Sequence, residues 1–479
     1  MKRFINKIYM LTAAFISVCM IGNINVKADT AEELDCNVVI SNGSSSYNVS
    51  DGSYDTSVTL NSGDTVTVSL NTPAMGVYII WGKPVEEWTL KIGDKEEKRG
   101  NNGFLHEYIE FETEVNEFTI VADSGNTLTD IYCYSKGELP EDVQVWEPMC
   151  EKADILLLST HADDEILFFG GILPYYAGEM GYEVQVVYFS EYWTGANIRE
   201  HEKLDGLWHA GVTHYPYTGD FMDLYADNLE AAIQLFGEEK PVEFVVEMIR
   251  RFKPQIAVAQ DENGEYGHGT HMLTSLAMKK AVEISMEETS YPESANKYGV
   301  WDVPKTYLHL YGENEIVLDC RSPLSHFGGK TTLEVAAESY KKHVSQQWCW
   351  FYVDDEYEYS CAKYGLYRTT VGVDTTNDIM ENITDYKTQY EEEQKRKEEE
   401  SIRESQSIAE AESLKEENRR EQESIKAEEE RKQNSGRTVR NVILVIVGIV
   451  VAVMILYFIL LMRVVSKRKK RRKKRKTSK

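Results

Sequence analysis

A chain of 479 residues has room for two or three domains, and 42% hydrophobic with 11% aromatic residues is enough to build buried cores, which excludes wholesale disorder. The formal charge is −27, yet residues 1–28 hold four Lys/Arg and residues 463–479 hold twelve, neither stretch with an acid. The body between them is therefore strongly acidic and repels polyanions, which excludes nucleic acid as a partner.

Lys2, Arg3 and Lys7 precede an apolar run from Ile8 to Ile21, and Val26-Lys27-Ala28 offers small residues for cleavage. Residues 1–28 read as a signal peptide, to be set aside from the fold. Residues 30–145 then read as all-β. Val66, Val68 and Leu70 alternate with Thr65, Thr67 and Ser69, and Ile109, Phe111 and Val115 alternate with Glu110, Glu112 and Glu114. Period-two patterning with Gly/Asn/Asp/Ser punctuation predicts antiparallel strands and hence a β-sandwich. Its aromatics, Tyr78, Trp81 and Trp88 among them, fit either a sugar-stacking face, as in a carbohydrate-binding module, or the core. The segment from Glu138-Leu139-Pro140 to Trp146-Glu147-Pro148 resembles the end of discoidin-like jelly rolls.

From 150 to 375 the rhythm changes. Ile155–Leu158, Val184–Phe189 and Ile256–Ala259 are short apolar runs, as expected of strands covered on both faces. Val242, Val245, Val246, Ile249 and Phe252 fall at helical spacing and stop before Pro254. This alternation predicts a mainly parallel, three-layer α/β domain. Residues 385–436 are nearly all charged or small polar, with Ile402, Ile408, Leu414 and Ile425 at spacings that keep no heptad. They read as a solvated charged stalk, which if helical would reach about 78 Å. Val442–Met462 carries no charge and suits one transmembrane helix. The basic residues of 463–479 make that end a cytoplasmic tail by the positive-inside rule, with the body outside. Cys36, Cys133, Cys150, Cys320, Cys349 and Cys361 remain in such an exported body, where disulfides are allowed and fifteen full pairings exist.

Two clusters carry chemistry. His161-Ala162-Asp163-Asp164-Glu165 follows the first buried strand of the α/β region, and Tyr266-Gly267-His268-Gly269-Thr270-His271 follows the strand at 256–259. In parallel sheets, ligands collect beyond the carboxyl ends of strands. His161 and Asp164, three apart, offer a nitrogen and an oxygen on one side of a turn, a combination suited to zinc, with iron as the alternative ion. Asp163 then projects beside the metal, and His268 and His271 open the next helix.

The two clusters resemble the signatures of the PIG-L/LmbE-type zinc-dependent N-acetylglucosaminyl deacetylases, H-P-D-D-E and Y-G-H-x-x-H, over roughly residues 151–350. The resemblance implies a Rossmann-like α/β fold, zinc on His161, Asp164 and His271, and Asp163 as general base. It implies that His268 is the acid or oxyanion partner and that Tyr266 polarises the carbonyl. Arg199 resembles the arginine of an R-x-x-E helix that holds substrate, Asp220 or Asp223 a substrate-binding acid, and His343 a C-terminal H-x-S-Q element. Two departures stand out. Ala162 replaces the usual proline, which predicts a looser turn, and Thr270 stands where many members carry an acid, which predicts a less basic His268.

The expected function is hydrolytic removal of the N-acetyl group from N-acetylglucosamine-type units of an extracellular glycan. Signal, stalk and anchor are similar to those of Gram-positive surface proteins. The alternatives are a non-catalytic glycan-binding surface protein and a zinc amidase or esterase acting on another acyl group.

Overall fold

The computed structural model describes residues 29–474. The expected signal peptide lies outside these residues, as does the end of the basic tail. The described chain falls into two compact units that divide between Gln389 and Tyr390.

The first unit opens with eight strands, β1 (Glu33–Leu34), β2 (Cys36–Ile40), β3 (Val58–Leu60), β4 (Thr65–Trp81), β5 (Trp88–Ile92), β6 (Lys95–Arg99), β7 (His106–Ala122) and β8 (Asn126–Tyr134). Every pairing among them is antiparallel. They form one hydrogen-bonded network in which the 17-residue strands β4 and β7 each serve several partners. The alternation expected at Val66, Val68 and Leu70 is the inward face of β4. Trp81 and Trp88 are fully buried against each other, 5.4 Å between ring centroids, and Tyr78 is buried as well. These three aromatics therefore build the core and leave no stacking face of their own.

A seven-stranded mixed sheet follows: β9 (Ile155–Ser159), β10 (Val184–Glu191), β11 (Tyr217–Met222), β12 (Ile256–Ala259), β13 (Lys305–His309), β14 (Glu315–Val317) and β15 (Lys363–Thr369), in the order β11-β10-β9-β12-β13-β15-β14. The first five in that order run parallel. β15 runs antiparallel to both β13 and β14. Helices α1 (Asp164–Leu167), α2 (Ile198–His209), α3 (Leu229–Phe236), α4 (Glu239–Phe252), α5 (Gly269–Ile284), α6 (Pro292–Tyr298) and α7 (Thr332–Tyr340) connect and flank it. Successive residues of β9 serve different cores: Ile155 and Leu157 pack on one side, Leu156 and Leu158 on the other. Each side chain buried there is worth about 1.5–3 kcal/mol, so the register of β9, and with it the position of His161, is firmly held. α4 ends where Lys253 turns left-handed, one residue before Pro254.

The β-sheet region packs onto α2. His106 and His201 share a 2.9 Å hydrogen bond, and the Tyr54 hydroxyl and the Gln144 amide both donate to Asp205 at 2.9 and 2.6 Å. The second unit continues one helix, α8 (Tyr386–Lys474), and within it lies a stretch long and apolar enough to cross a membrane.

Candidate metal centre and active site

The centre of the sheet is β9 and its parallel neighbour β12, and both end on the same edge. That adjacency brings the two motifs together across 110 residues. His161 Nδ1, Asp164 Oδ2 and His271 Nε2 form a nearly equilateral triangle with sides of 3.0, 3.0 and 3.1 Å. Donors bound at about 2.0–2.1 Å around one tetrahedral ion stand about 3.3 Å apart, so two nitrogens and a carboxylate oxygen at this spacing fit a divalent cation. All three residues are buried. His268 brings a third imidazole close, its ring 4.7 Å from those of both His161 and His271, and ligand nitrogens of the three histidines lie within 4.8 Å of one another.

The groups behind the triangle hold it in place. His271 Nδ1 donates to Glu265 Oε2 at 2.7 Å, and Glu265 Oε1 accepts from His309 Nδ1 at 2.6 Å. Burial would raise the Glu265 carboxyl, but the two imidazoles outweigh it and hold it at about 2. A carboxylate on the far nitrogen of a histidine fixes the tautomer that presents the near nitrogen to a metal. Asp164 Oδ2 accepts from the Gln260 amide at 2.9 Å and from the His161 backbone N–H at 2.8 Å.

Asp163 sits beside the triangle with φ at +110°, a conformation costly for any residue with a Cβ. Its N–H donates to Glu165 Oε2 at 2.7 Å, and His343 Nε2 lies 2.8 Å from the other Glu165 oxygen. Arg199, from the first turn of α2, reaches Asp163 Oδ1 and Asp223 Oδ2, each at 3.3 Å, stacks over the Tyr192 ring at 4.3 Å and contacts the Ala162 carbonyl. Burial pushes the Asp163 carboxyl up to about 7 against the pull of Arg199, a value suited to exchanging protons at neutral pH.

His268 caps α5, its Nδ1 accepting from the Thr270 N–H at 3.2 Å. Burial together with the neighbouring His161 and His271 pushes its imidazole down to about 2. Gly269 is required next to it, because a Cβ there would meet the Asn228 carbonyl at 2.1 Å. Tyr266 is also left-handed (φ +46°), and its ring lies 5.3 Å from that of His271.

Two expectations are corrected. Asp220 is exposed and pairs with Lys240 at 3.3 Å, so it does not join the cluster; Asp223 does, with Oδ1 3.6 Å from His161 Nε2. Adjacent side chains of a strand face opposite ways, and the chain leaves β11 only after Met222, which frees Asp223 to turn over the carboxyl edge. The turn at Ala162 is not loose, because the N–H a proline would lack donates to the Tyr192 hydroxyl at 3.0 Å. Glu265, His309, Gln260 and Tyr192 carried no assigned role in the motif reading. Gln260, the polar residue that follows the apolar run Ile256–Ala259, was the available signal for one of them. A second group with ligand-type side chains, Cys150, Glu183 and His214, lies at the opposite end of the sheet. There His214 is bonded to Glu183 and, at 2.6 Å, to the Pro148 carbonyl, an ion pair that ties two loops.

Residues 156–282 match the PIG-L family, described as GlcNAc-PI de-N-acetylase. The chain is similar to 1D-myo-inositol 2-acetamido-2-deoxy-alpha-D-glucopyranoside deacetylases from Catenulispora acidiphila (25% identity over 32% of this chain and 54% of that protein) and Rhodococcus erythropolis (28% over 32% and 59%). It thus spans little more than half the length of these curated relatives. Among solved structures, N,N'-diacetylchitobiose deacetylase from Pyrococcus horikoshii aligns at 18% identity with a TM-score of 0.32, covering 40% of this chain and 71% of that one.

Proposed function

We propose that this chain, whose residues 156–282 form a PIG-L family domain, is a metal-dependent hydrolase that removes the acetyl group from N-acetylglucosamine-type units of an extracellular glycan. The observation that carries the reading is the donor triangle of His161, Asp164 and His271 with Asp163 beside it, on one edge of the sheet. A divalent cation held by those three groups, zinc by donor type, supplies Lewis-acid polarisation and a water of lowered pKa.

The remaining work falls to this chain's own side chains. Asp163 accepts the proton of the water that attacks the acetamide carbonyl, its carboxylate kept in place by Arg199 and its backbone by Glu165. Tyr266 and His268 face the carbonyl oxygen and stabilise negative charge where it develops. The proton taken up by Asp163 then passes to the departing amine, so that acetate and a free amino sugar leave. Arg199 and Asp223 meet the sugar hydroxyls. The apolar stretch of α8 anchors the chain in a membrane, with the basic tail inside, the acidic body outside and a Gram-positive surface as its setting.

The test is acetate release from N-acetylglucosamine oligosaccharides by the detergent-solubilised full chain, before and after chelation and zinc return. Acetate that appears only with metal supports the reading. Full metal loading with no acetate from any N-acetylated sugar removes it. The same assay, run with other amides and esters, decides against the zinc amidase or esterase alternative.

A further inference from the structure

Rings that the reaction itself does not use run outward from the catalytic Tyr266 and His268. From Trp348 to Val353 exposure alternates: Trp348, Trp350 and Tyr352 are 82, 64 and 49% exposed, while Cys349 and Phe351 turn inward and Val353 is buried. Isolated exposed aromatics are ordinary, but three within five residues form an apolar patch of the kind that marks a binding surface. The patch is continuous with the catalytic rings. Trp350 packs on Phe351 at 4.4 Å between centroids, Phe351 on Tyr266 at 4.6 Å, and Tyr266 on His268 at 5.6 Å. Beyond His268, Tyr225, 68% exposed, closes the line edge-on at 4.9 Å.

The loop is also held at its base. The Gln347 amide donates to the carbonyls of Tyr340 and His343 at 2.9 and 3.1 Å, and Cys349 packs inward against the Tyr340 hydroxyl at 3.3 Å. Its outward rings are thus pre-positioned, which lowers the ordering cost of a ligand. Four carboxylates, Asp354, Asp355, Glu356 and Glu358, follow directly, two of them paired with Arg321 at 2.7 and 2.9 Å.

We propose that Trp348, Trp350 and Tyr352 on one side of the catalytic pocket and Tyr225 on the other are stacking subsites for the sugar units that flank the reacting one, so that the substrate is an oligomeric, uncharged or amine-bearing GlcNAc chain. This rests on the deacetylase reading and deepens it. The C–H faces of a β-linked pyranose are weakly positive and flat, and match the negative face of an aromatic ring. A single sugar filling the pocket would leave these rings in water. The acidic stretch beside them repels an anionic polymer and attracts the free amines that the reaction leaves behind.

The test titrates the tryptophan fluorescence of the full chain in detergent with β-1,4 GlcNAc disaccharide and hexasaccharide and with a hyaluronan oligosaccharide, alongside acetate release from the first two. The hexasaccharide is expected to bind at least about tenfold tighter than the disaccharide and to raise kcat/KM mainly through KM. That gain should vanish in Trp348→Ala/Trp350→Ala and persist in Trp350→Phe, with hyaluronan the weakest ligand. Equal affinity for two and six units, a length gain untouched by the double alanine variant, or hyaluronan binding as tightly as the hexasaccharide would each overturn the proposal. Length-dependent binding without acetate would sustain the subsites and sink the deacetylase reading instead; acetate release indifferent to length would do the reverse.

Discussion

His161 and His271, 110 residues apart in the chain, bring Nδ1 and Nε2 to 3.0 Å of one another, with one oxygen of Asp164 equally near. Two imidazoles and a carboxylate at this spacing are the donor set that suits a shared divalent cation. Replacing any one by alanine should take the metal content of the purified protein from near one equivalent to near none, and lower acetate release by about a thousandfold or more. Elemental analysis of the three variants checks this; a variant that keeps its metal is not a ligand variant.

Glu265 touches no member of the triangle except through His271, yet it joins His271 to His309 in a fully buried chain. Glu265→Gln keeps the shape and removes the charge that favours the metal-presenting tautomer. Metal affinity should fall about 10–100-fold, measured by competition with a chelating dye, and activity should return when excess metal is supplied.

Asp163→Asn should separate proton transfer from metal binding. The side chain stays isosteric and Arg199 loses only one of its partners. Metal content should remain at the wild-type level while kcat falls about 10²–10⁴-fold with a smaller effect on KM. An Asp163→Asn enzyme that turns over normally would remove the base assignment.

Asp205 stands on α2, the helix that carries Arg199, and faces the β-sheet region, where Tyr54 and Gln144 bond to it. Burial pushes its carboxyl up to about 7, against the hydrogen bonds from Tyr54 and Gln144. A carboxyl with a raised folded-state pKa holds a proton that the unfolded chain has already lost, so stability falls as pH rises from about 4 to about 7 and then levels. With a fifth of the side chain open to water, the cost is about 2 kcal/mol or less. Thermal unfolding across that range should show this slope, and Asp205→Asn should flatten it.

What could be read along the chain was whatever repeats at short range. Period-two alternation at Val66–Leu70 marked a β-strand, and continuous apolar runs at 155–158 and 256–259 marked strands covered on both faces. The three-residue spacings His161–Asp164 and His268–His271 placed each pair on one side of a turn, because backbone geometry alone decides what neighbours three apart can share. The sites of those residues on one edge also followed from strand-then-helix order. The choice of Asp223 over Asp220 did not, because it depends on where β11 ends. Nor did the link from Glu265 to His309, which needs β12 and β13 to be adjacent. Composition favoured the core for Tyr78, Trp81 and Trp88 but left a sugar face open, and packing assigned them to the core. The outward rings at 348–352 have the same composition and the opposite fate. Their chemistry was written in the chain, but whether a ring meets protein or water depends on partners supplied by distant segments, and those are settled only when the sheet closes its order.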